Sequence, residues 1–324
     1  MIVPDFWAEA RRQEKINGSQ VTLKRFGWSN ESYEHALENA KQRVNEAMTR
    51  ALSGEKVRKV DHKISYNGGE GLPIREEVVA RHEDVVITRN TYGALCLNTP
   101  DVLFADVDLN IEPSGKLLFG AGFMLTVFAV AAGMSTSSWW LFFISLFVAM
   151  IFSSALAGLF LKLSYLVKGA PETQFRLALE EFVSTSKDAN LRLYKTPNGF
   201  RVLAMHDLFD PQGEDAKRLF SNLMADKLYV QMCLNQNCFR ARVSPKPWRI
   251  NIKRMGPRPG TWPIKEDRMF ARQLWVNAYQ NASKGYASCV FDSSHGSDIV
   301  HPKAKLVMEL HDEYSRSDTE LAIA

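Results

Sequence analysis

From Leu117 to Leu161 the chain has no charged residue, and the remainder of its 324 residues is arranged around that absence. A bilayer core about 30 Å thick is crossed by roughly 20 apolar residues of helix, so the run is long enough for two crossings. Met134, Ser135, Thr136, Ser137 and Ser138 make a small polar break within it. The pattern predicts a transmembrane hairpin with helices over 117–133 and 139–161. The lack of any acid or base inside the crossings argues against a proton relay or ion pathway, and so against transport by a single chain, and leaves open a pore formed by a homo-oligomer. The connecting turn also lacks Lys and Arg, whereas Lys116, Lys162 and Lys168 flank the run. The positive-inside bias then places both long segments, 1–116 and 162–324, in the cytoplasm, as in a multi-pass inner-membrane protein with both termini inside. Trp139 and Trp140 suit the far interface. Gly120, Gly122, Ala129, Ala131 and Gly133 on one helix, with Ser153, Ser154, Ala157 and Gly158 on the other, are small enough for close helix packing. The alternative is a buried helical hairpin in a soluble core.

Other absences narrow the chemistry. There are only four cysteines, Cys96, Cys233, Cys238 and Cys289, and a cytoplasmic setting predicts free thiols rather than a disulfide framework. Cys233 and Cys238 have four residues between them and no second Cys pair, which is not the spacing of a zinc knuckle. The start, MIVPDFWAEARRQEK, has no basic segment followed by an apolar core, so no signal peptide is expected. The Asn67–Gly71 stretch lacks the Gly-Lys-Ser/Thr ending of a phosphate-binding loop. No Gly-x-Ser-x-Gly, Cys/His nucleophile arrangement, internal repeat or low-complexity tract is apparent. His295, Asp298 and His301, and His311, Asp312 and Glu313, are loose groups best explained as loop polarity. The net charge of +4 suits a domain beside an anionic leaflet or one that meets phosphates.

Helical and strand periodicities alternate on both sides of the apolar run. Helices are expected over Pro4–Lys15, from Asn30 or Ser32 to about Ser53, over Pro171–Ser186, from Glu214 to about Asp226, over Lys265–Ser283 and near Lys303–Tyr314. Strands are expected over Val21–Trp28, Asp84–Thr88, Tyr92–Leu97, Val102–Leu109, Leu191–Thr196, Phe200–His206, within Leu228–Val243 and near Ala287–Phe291. A Lys/Arg-rich link runs through Lys56, Arg58, Lys59 and Lys63. The expected fold class is α+β: one cytoplasmic mixed domain, interrupted in sequence by the hairpin.

Two sets of residues could carry chemistry. Asp106 and Asp108 stand two apart in the strand VLFADVDL, so their carboxylates face the same way. Paired hard oxygens suit Mg²⁺ or Mn²⁺; an exposed strand end explains them equally well. His206 ends the strand FRVLAMH, as a functional group or a structural one. The order of a strand with Asp-x-Asp, a helix, and a Gly-containing hairpin whose second strand ends in His resembles the catalytic core of archaeo-eukaryotic primase-polymerases. The resemblance implies metal binding by Asp106 and Asp108 and a phosphate contact by His206. It covers VLFADVDL and LRLYKTPNGFRVLAMH; the family's Ser-x-His is Ala204-Met205-His206 here, and Asp292 is the nearest counterpart to a third carboxylate. The whole layout also resembles a family of bacterial two-helix membrane proteins.

The second set is basic. Arg240, Arg242, Lys246, Arg249, Lys253, Arg254 and Arg258 occur with no acid among them, and Trp248 is interleaved. Such a stretch could follow a phosphate backbone and stack a base on Trp248, or lie against anionic lipid headgroups. Two functions follow. One is a membrane-tethered, divalent-metal-dependent enzyme acting on nucleotides or nucleic acid. The other is a non-catalytic membrane-anchored scaffold that binds anionic lipid and a cytoplasmic protein partner.

Overall fold

A computed structural model describes residues 1–61, 73–109, 112–136, 138–255 and 262–324. Lys63, the Asn67–Gly71 stretch, Ser137 and Arg258 lie outside the described residues. In chain order the elements are β1 (Phe6–Ile16), β2 (Ser19–Ser29), α1 (Tyr33–Leu52), β3 (Glu77–His82), β4 (Val85–Arg89), β5 (Leu95–Thr99), β6 (Phe104–Asp108), α2 (Gly115–Thr136), α3 (Trp139–Lys168), α4 (Pro171–Thr185), β7 (Asn190–Thr196), β8 (Gly199–Ala204), α5 (Glu214–Asn222), α6 (Lys227–Gln236), β9 (Phe239–Arg242), α7 (Glu266–Ser283), β10 (Tyr286–Ala287), β11 (Val290–Gly296), α8 (Pro302–Ser315) and β12 (Ala322–Ile323). The class is mixed α+β. The chain divides into two compact units, one of Met1–Val107 with Val183–Ala324, the other of Asp108–Phe182.

The larger unit holds two four-stranded sheets, ordered β3-β4-β5-β9 and β11-β7-β8-β6. Both combine strands from before and after the apolar run, so the unit closes only when the two halves of the sequence meet. The β7–β8 hairpin turns at Pro197 and Asn198, with Thr196 opposite Gly199. Asn-Gly is a strong hairpin signal. Between the sheets, the Arg201 side chain on β8 donates to the Arg242 carbonyl on β9 at 2.9 Å. On α8, Ala304, Val307, Leu310 and His311 are buried.

The first stretch corrects the sequence reading. Pro4–Lys15 was expected as a helix, but Phe6–Ile16 pairs antiparallel with Ser19–Ser29 through all eleven positions. The reason is the turn: Asn17 and Gly18 both take positive φ, 49° and 78°, the requirement of a two-residue type I′ hairpin. Helix α1 lies on this hairpin with Ala36, Ala40, Val44, Ala47 and Met48 buried, and Ser32 caps it by accepting from the His35 N–H. The approach is close enough that a Cβ at Gly27 would stand 2.2 Å from the Ala36 oxygen and the Ala40 nitrogen.

Leu228–Val243 holds a strand as expected, β9, but a helix that was not anticipated precedes it. Asp226 caps α6 by accepting from the Tyr229 N–H, and Asn237 ends it in the left-handed conformation. Strand β3 was not anticipated. Its exposed and half-buried residues give little apolar signal.

In the smaller unit, α2 and α3 pack against each other. Ser138 caps α3, and Gly133 lies so near Phe142 that an added Cβ would stand 2.9 Å from the Phe142 Cβ. Among the described residues two helical segments, Gly115–Thr136 and Ile151–Thr185, are long and apolar enough to cross a membrane by length and composition, and Trp139–Ala149 is a shorter apolar one. Phe119, Phe123, Phe128, Trp139, Trp140, Phe143 and Phe147 are all more than half exposed.

Candidate functional site

Asp106 is the innermost acid of β6, and Arg201 on β8 occupies it. Arg201 Nε donates to one carboxylate oxygen at 2.7 Å and Nη2 to the other at 3.1 Å. The guanidinium is 2 % exposed. Burial alone would lower its pKa, but Asp106 more than offsets this and the value lies above the ordinary range. A fork-to-fork pair of this kind uses one lone pair on each carboxylate oxygen and supplies Asp106 with a countercharge. Asp108, the last residue of β6, is exposed.

His206 does not join the acids. Arg201 faces Asp106, and three residues on, the Ala204 N–H donates to the Leu103 carbonyl at 3.0 Å. Strands β8 and β6 therefore run in opposite directions. His206, expected to end this strand, lies two residues past it, because β8 stops at Ala204, and it falls beside the residues that precede β6. There its Nδ1 meets the backbone of Asn190 and its ring stands edge-on to Phe209. Asp292 lies on β11 and accepts from the Ser293 hydroxyl at 2.7 Å. Among the described residues no three His, Cys, Asp or Glu side chains converge in a way that could hold a metal ion.

The groups that do converge were not anticipated. His311 and Asp312, read from the sequence as loop polarity, lie on α8. His311 is fully buried. Its Nδ1 contacts Asp312 Oδ1 at 2.9 Å, while its Nε2 lies 3.3 Å from Arg201 Nη1 and 3.7 Å from Cys289 Sγ. Asp312 also accepts from Arg192 at 2.9 Å. Asp106, Arg201, His311, Asp312 and Arg192 thus form one continuous polar chain through the core, with Cys289 beside its middle. Burial opposes charge on His311, but Cys289 and Asp312 shift the balance and raise its pKa. Burial also works against the Cys289 thiolate, yet His311 and Arg201 bring its pKa below the usual thiol value.

A thiol, an imidazole and a carboxylate in this order can activate sulfur as a nucleophile. Here the set is sealed. Cys289 and His311 have no exposed surface, and the rings of Tyr194 and Phe104 stand 4.6 and 5.3 Å from His311. The arrangement ties β6, β7, β8 and α8 together rather than facing a substrate. The only sequence signal was an adjacent His-Asp pair, whose partners are more than a hundred residues away along the chain for Arg192 and Arg201.

The basic segment divides in two. Arg240 is not a surface cation. It is buried against Glu76 at 2.5 Å, and although burial works against its charge, Cys96 and Glu76 raise its pKa. Arg242 donates to the Ser244 carbonyl. Beyond them a single turn, Pro247–Ile250, presents Trp248, which is 43 % exposed. The Lys246 ammonium and Arg254 guanidinium stand 5.8 and 5.1 Å from the Trp248 ring, and Tyr92 meets it edge-on at 5.2 Å. Arg249 reaches Asn198 at 2.6 Å. Lys253 is exposed, and its carbonyl accepts from the Trp275 indole on α7. On that helix Phe270 and Leu274 are exposed, 77 % and 56 %, and no charged residue occurs from Gln273 to Ser283.

All four cysteines are buried and free. No family model matches the chain, and neither a curated protein nor a solved structure matches it.

Proposed function

We propose that this is an inner-membrane protein whose helical hairpin crosses the bilayer twice, with both termini cytoplasmic, and whose α+β domain is a non-catalytic scaffold that binds anionic lipid headgroups. The observation that carries the lipid reading is the exposed Trp248 ring with both Lys246 and Arg254 close to it, at 5.8 and 5.1 Å. Large exposed indoles favour the water–lipid interface, and each Lys or Arg near an anionic leaflet contributes about 1 kcal/mol. Lys246, Arg249, Lys253 and Arg254 supply the charge, and the exposed, charge-free side of α7 next to Lys253 supplies apolar surface.

The hairpin reading is supported by how little of its apolar surface the chain itself covers. Only 12 % and 6 % of the most apolar windows of Gly115–Thr136 and Ile151–Thr185 are buried, whereas a soluble core would enclose them. The scaffold reading is preferred to the metal-dependent enzyme because Arg201 engages both oxygens of Asp106 and His206 lies beyond the end of β8, away from them.

The test uses the full chain in nanodiscs of zwitterionic lipid or of zwitterionic lipid mixed with phosphatidylglycerol, followed by hydrogen exchange. Residues 244–255 should gain protection only in the anionic discs, less so at high salt, and not in a Lys246→Glu/Arg254→Glu variant. Equal exchange in both discs would overturn the lipid reading. Protection produced by an oligonucleotide, and not by the anionic lipid, would replace it with the nucleic-acid one.

A further inference from the structure

We infer that the groove between β11 and the first turns of α8 is a binding site for a small organic oxyanion, a carboxylate or phosphate that also carries a hydroxyl or amine. The groove encloses about 370 Å³, within the range of small-molecule sites. Met205, Val300 and Met308 give it an apolar floor, and Arg192, Lys305 and Asp298 are its charged lining.

Arg192 is held rigidly. Its Nε donates to the Tyr194 hydroxyl at 3.0 Å, its Nη2 donates to Asp312 at 2.9 Å, and its guanidinium lies 4.2 Å over the Phe291 ring. That leaves Nη1 with no acceptor among the described residues. Burial works against the Arg192 charge, and Tyr194 and Asp312 outweigh it. A guanidinium fixed on three sides loses little conformational entropy when it binds an anion. Lys305, from the second turn of α8, is exposed and makes no ion pair among the described residues. The two cations therefore line the same groove with unused donors, and Asp298 supplies one acceptor for a hydroxyl or amine of the same ligand. The backbone around the groove is set by Gly296, whose φ is +97° and whose added Cβ would stand 2.0 Å from the Ala189 oxygen. This site shares no residue with the surface around Trp248.

The experiment titrates inorganic phosphate and lactate, each against chloride at equal ionic strength, into the detergent-solubilised full chain carrying Lys246→Glu/Arg254→Glu. That background removes the other cationic surface. Binding is read as a rise in unfolding temperature together with hydrogen-exchange protection of residues 294–300. One or both anions should produce both signals. Phosphate alone would identify a phosphate-bearing ligand, lactate alone or both a carboxylate one. A further Lys305→Glu change, on an exposed position, should weaken binding about tenfold or more, the loss of one charge-assisted contact. No response to either anion, a response unchanged by Lys305→Glu, or protection elsewhere without protection of 294–300 would overturn the inference.

Discussion

Asp106 separates the two readings of β6 most sharply, because they predict opposite effects of removing it. If the carboxylate serves as a metal ligand, the metal-free protein gains or loses little when it is neutralised. If it serves as the countercharge of Arg201, Asp106→Asn leaves a guanidinium that is 2 % exposed with a carbonyl acceptor at Arg242 and no negative partner in contact. Breaking a buried pair by removing one partner costs about 3–5 kcal/mol. Asp106 itself keeps 30 % of its side-chain surface, and water can reach that side of the pair, so the expected loss is at the lower end, about 3 kcal/mol. At roughly 2–4 °C per kcal/mol, the unfolding temperature should fall by about 6–12 °C. Asp108→Asn, at an exposed strand end, should stay within about 0.5 kcal/mol of the parent. The measurement is thermal unfolding of the detergent-purified chain and both variants, by tryptophan fluorescence, with and without Mn²⁺. Equal unfolding temperatures for Asp106→Asn and the parent would refute the countercharge argument. So would a Mn²⁺-dependent stabilisation of the parent that either substitution abolishes.

Two further outcomes follow from the same structure. Burial works to raise the Asp312 pKa, but His311, Tyr194 and Arg192 outweigh it and hold the value below the ordinary 3.8. A carboxylate depressed on folding contributes stability that is complete above that ordinary value and is lost as pH falls through the lower folded-state value. Asp312→Asn should therefore be less stable at neutral pH and should lose part of the stability change below about pH 4; an unchanged acid slope in thermal unfolding would count against the network. Gly27→Ala places a methyl 2.2 Å from α1 backbone atoms, where no side-chain rotation relieves it. Displacing α1 from the hairpin should cost about 3 kcal/mol, and unfolding at the parent's denaturant midpoint would show that α1 moves away more easily than this packing implies.

Local patterns were legible where one residue and its near neighbours decide the outcome. The buried side of α1 follows from the helical spacing of Ala36, Ala40, Val44, Ala47 and Met48, and the β7–β8 turn from Asn198 and Gly199. The same rule applied at Asn17–Gly18 identifies the β1–β2 hairpin, but the Phe6, Trp7 and Ala10 spacing suggests a helix and masks it. In α6 the caps at Asp226 and Asn237 mark the ends, while a segment of only ten residues, with Leu228, Tyr229, Val230, Met232, Cys233 and Leu234 apolar, leaves helix and strand equally open.

What the sequence determined by itself was therefore local: where the apolar run lies, the β7–β8 hairpin, the buried side of α1, and the mixed α+β class. Those depend on periodicity, turn chemistry and the lack of charge between Leu117 and Leu161. Tertiary structure decided which charges face each other. Arg240 reads as one more surface cation until Glu76, 164 positions away, meets it in the core. The pairing of Asp106 with Arg201, 95 positions away, which engages both carboxylate oxygens, is likewise invisible in the spacing. A buried charge requires a partner, but the chain can supply that partner from any element the fold brings near, and one-dimensional spacing carries no record of which.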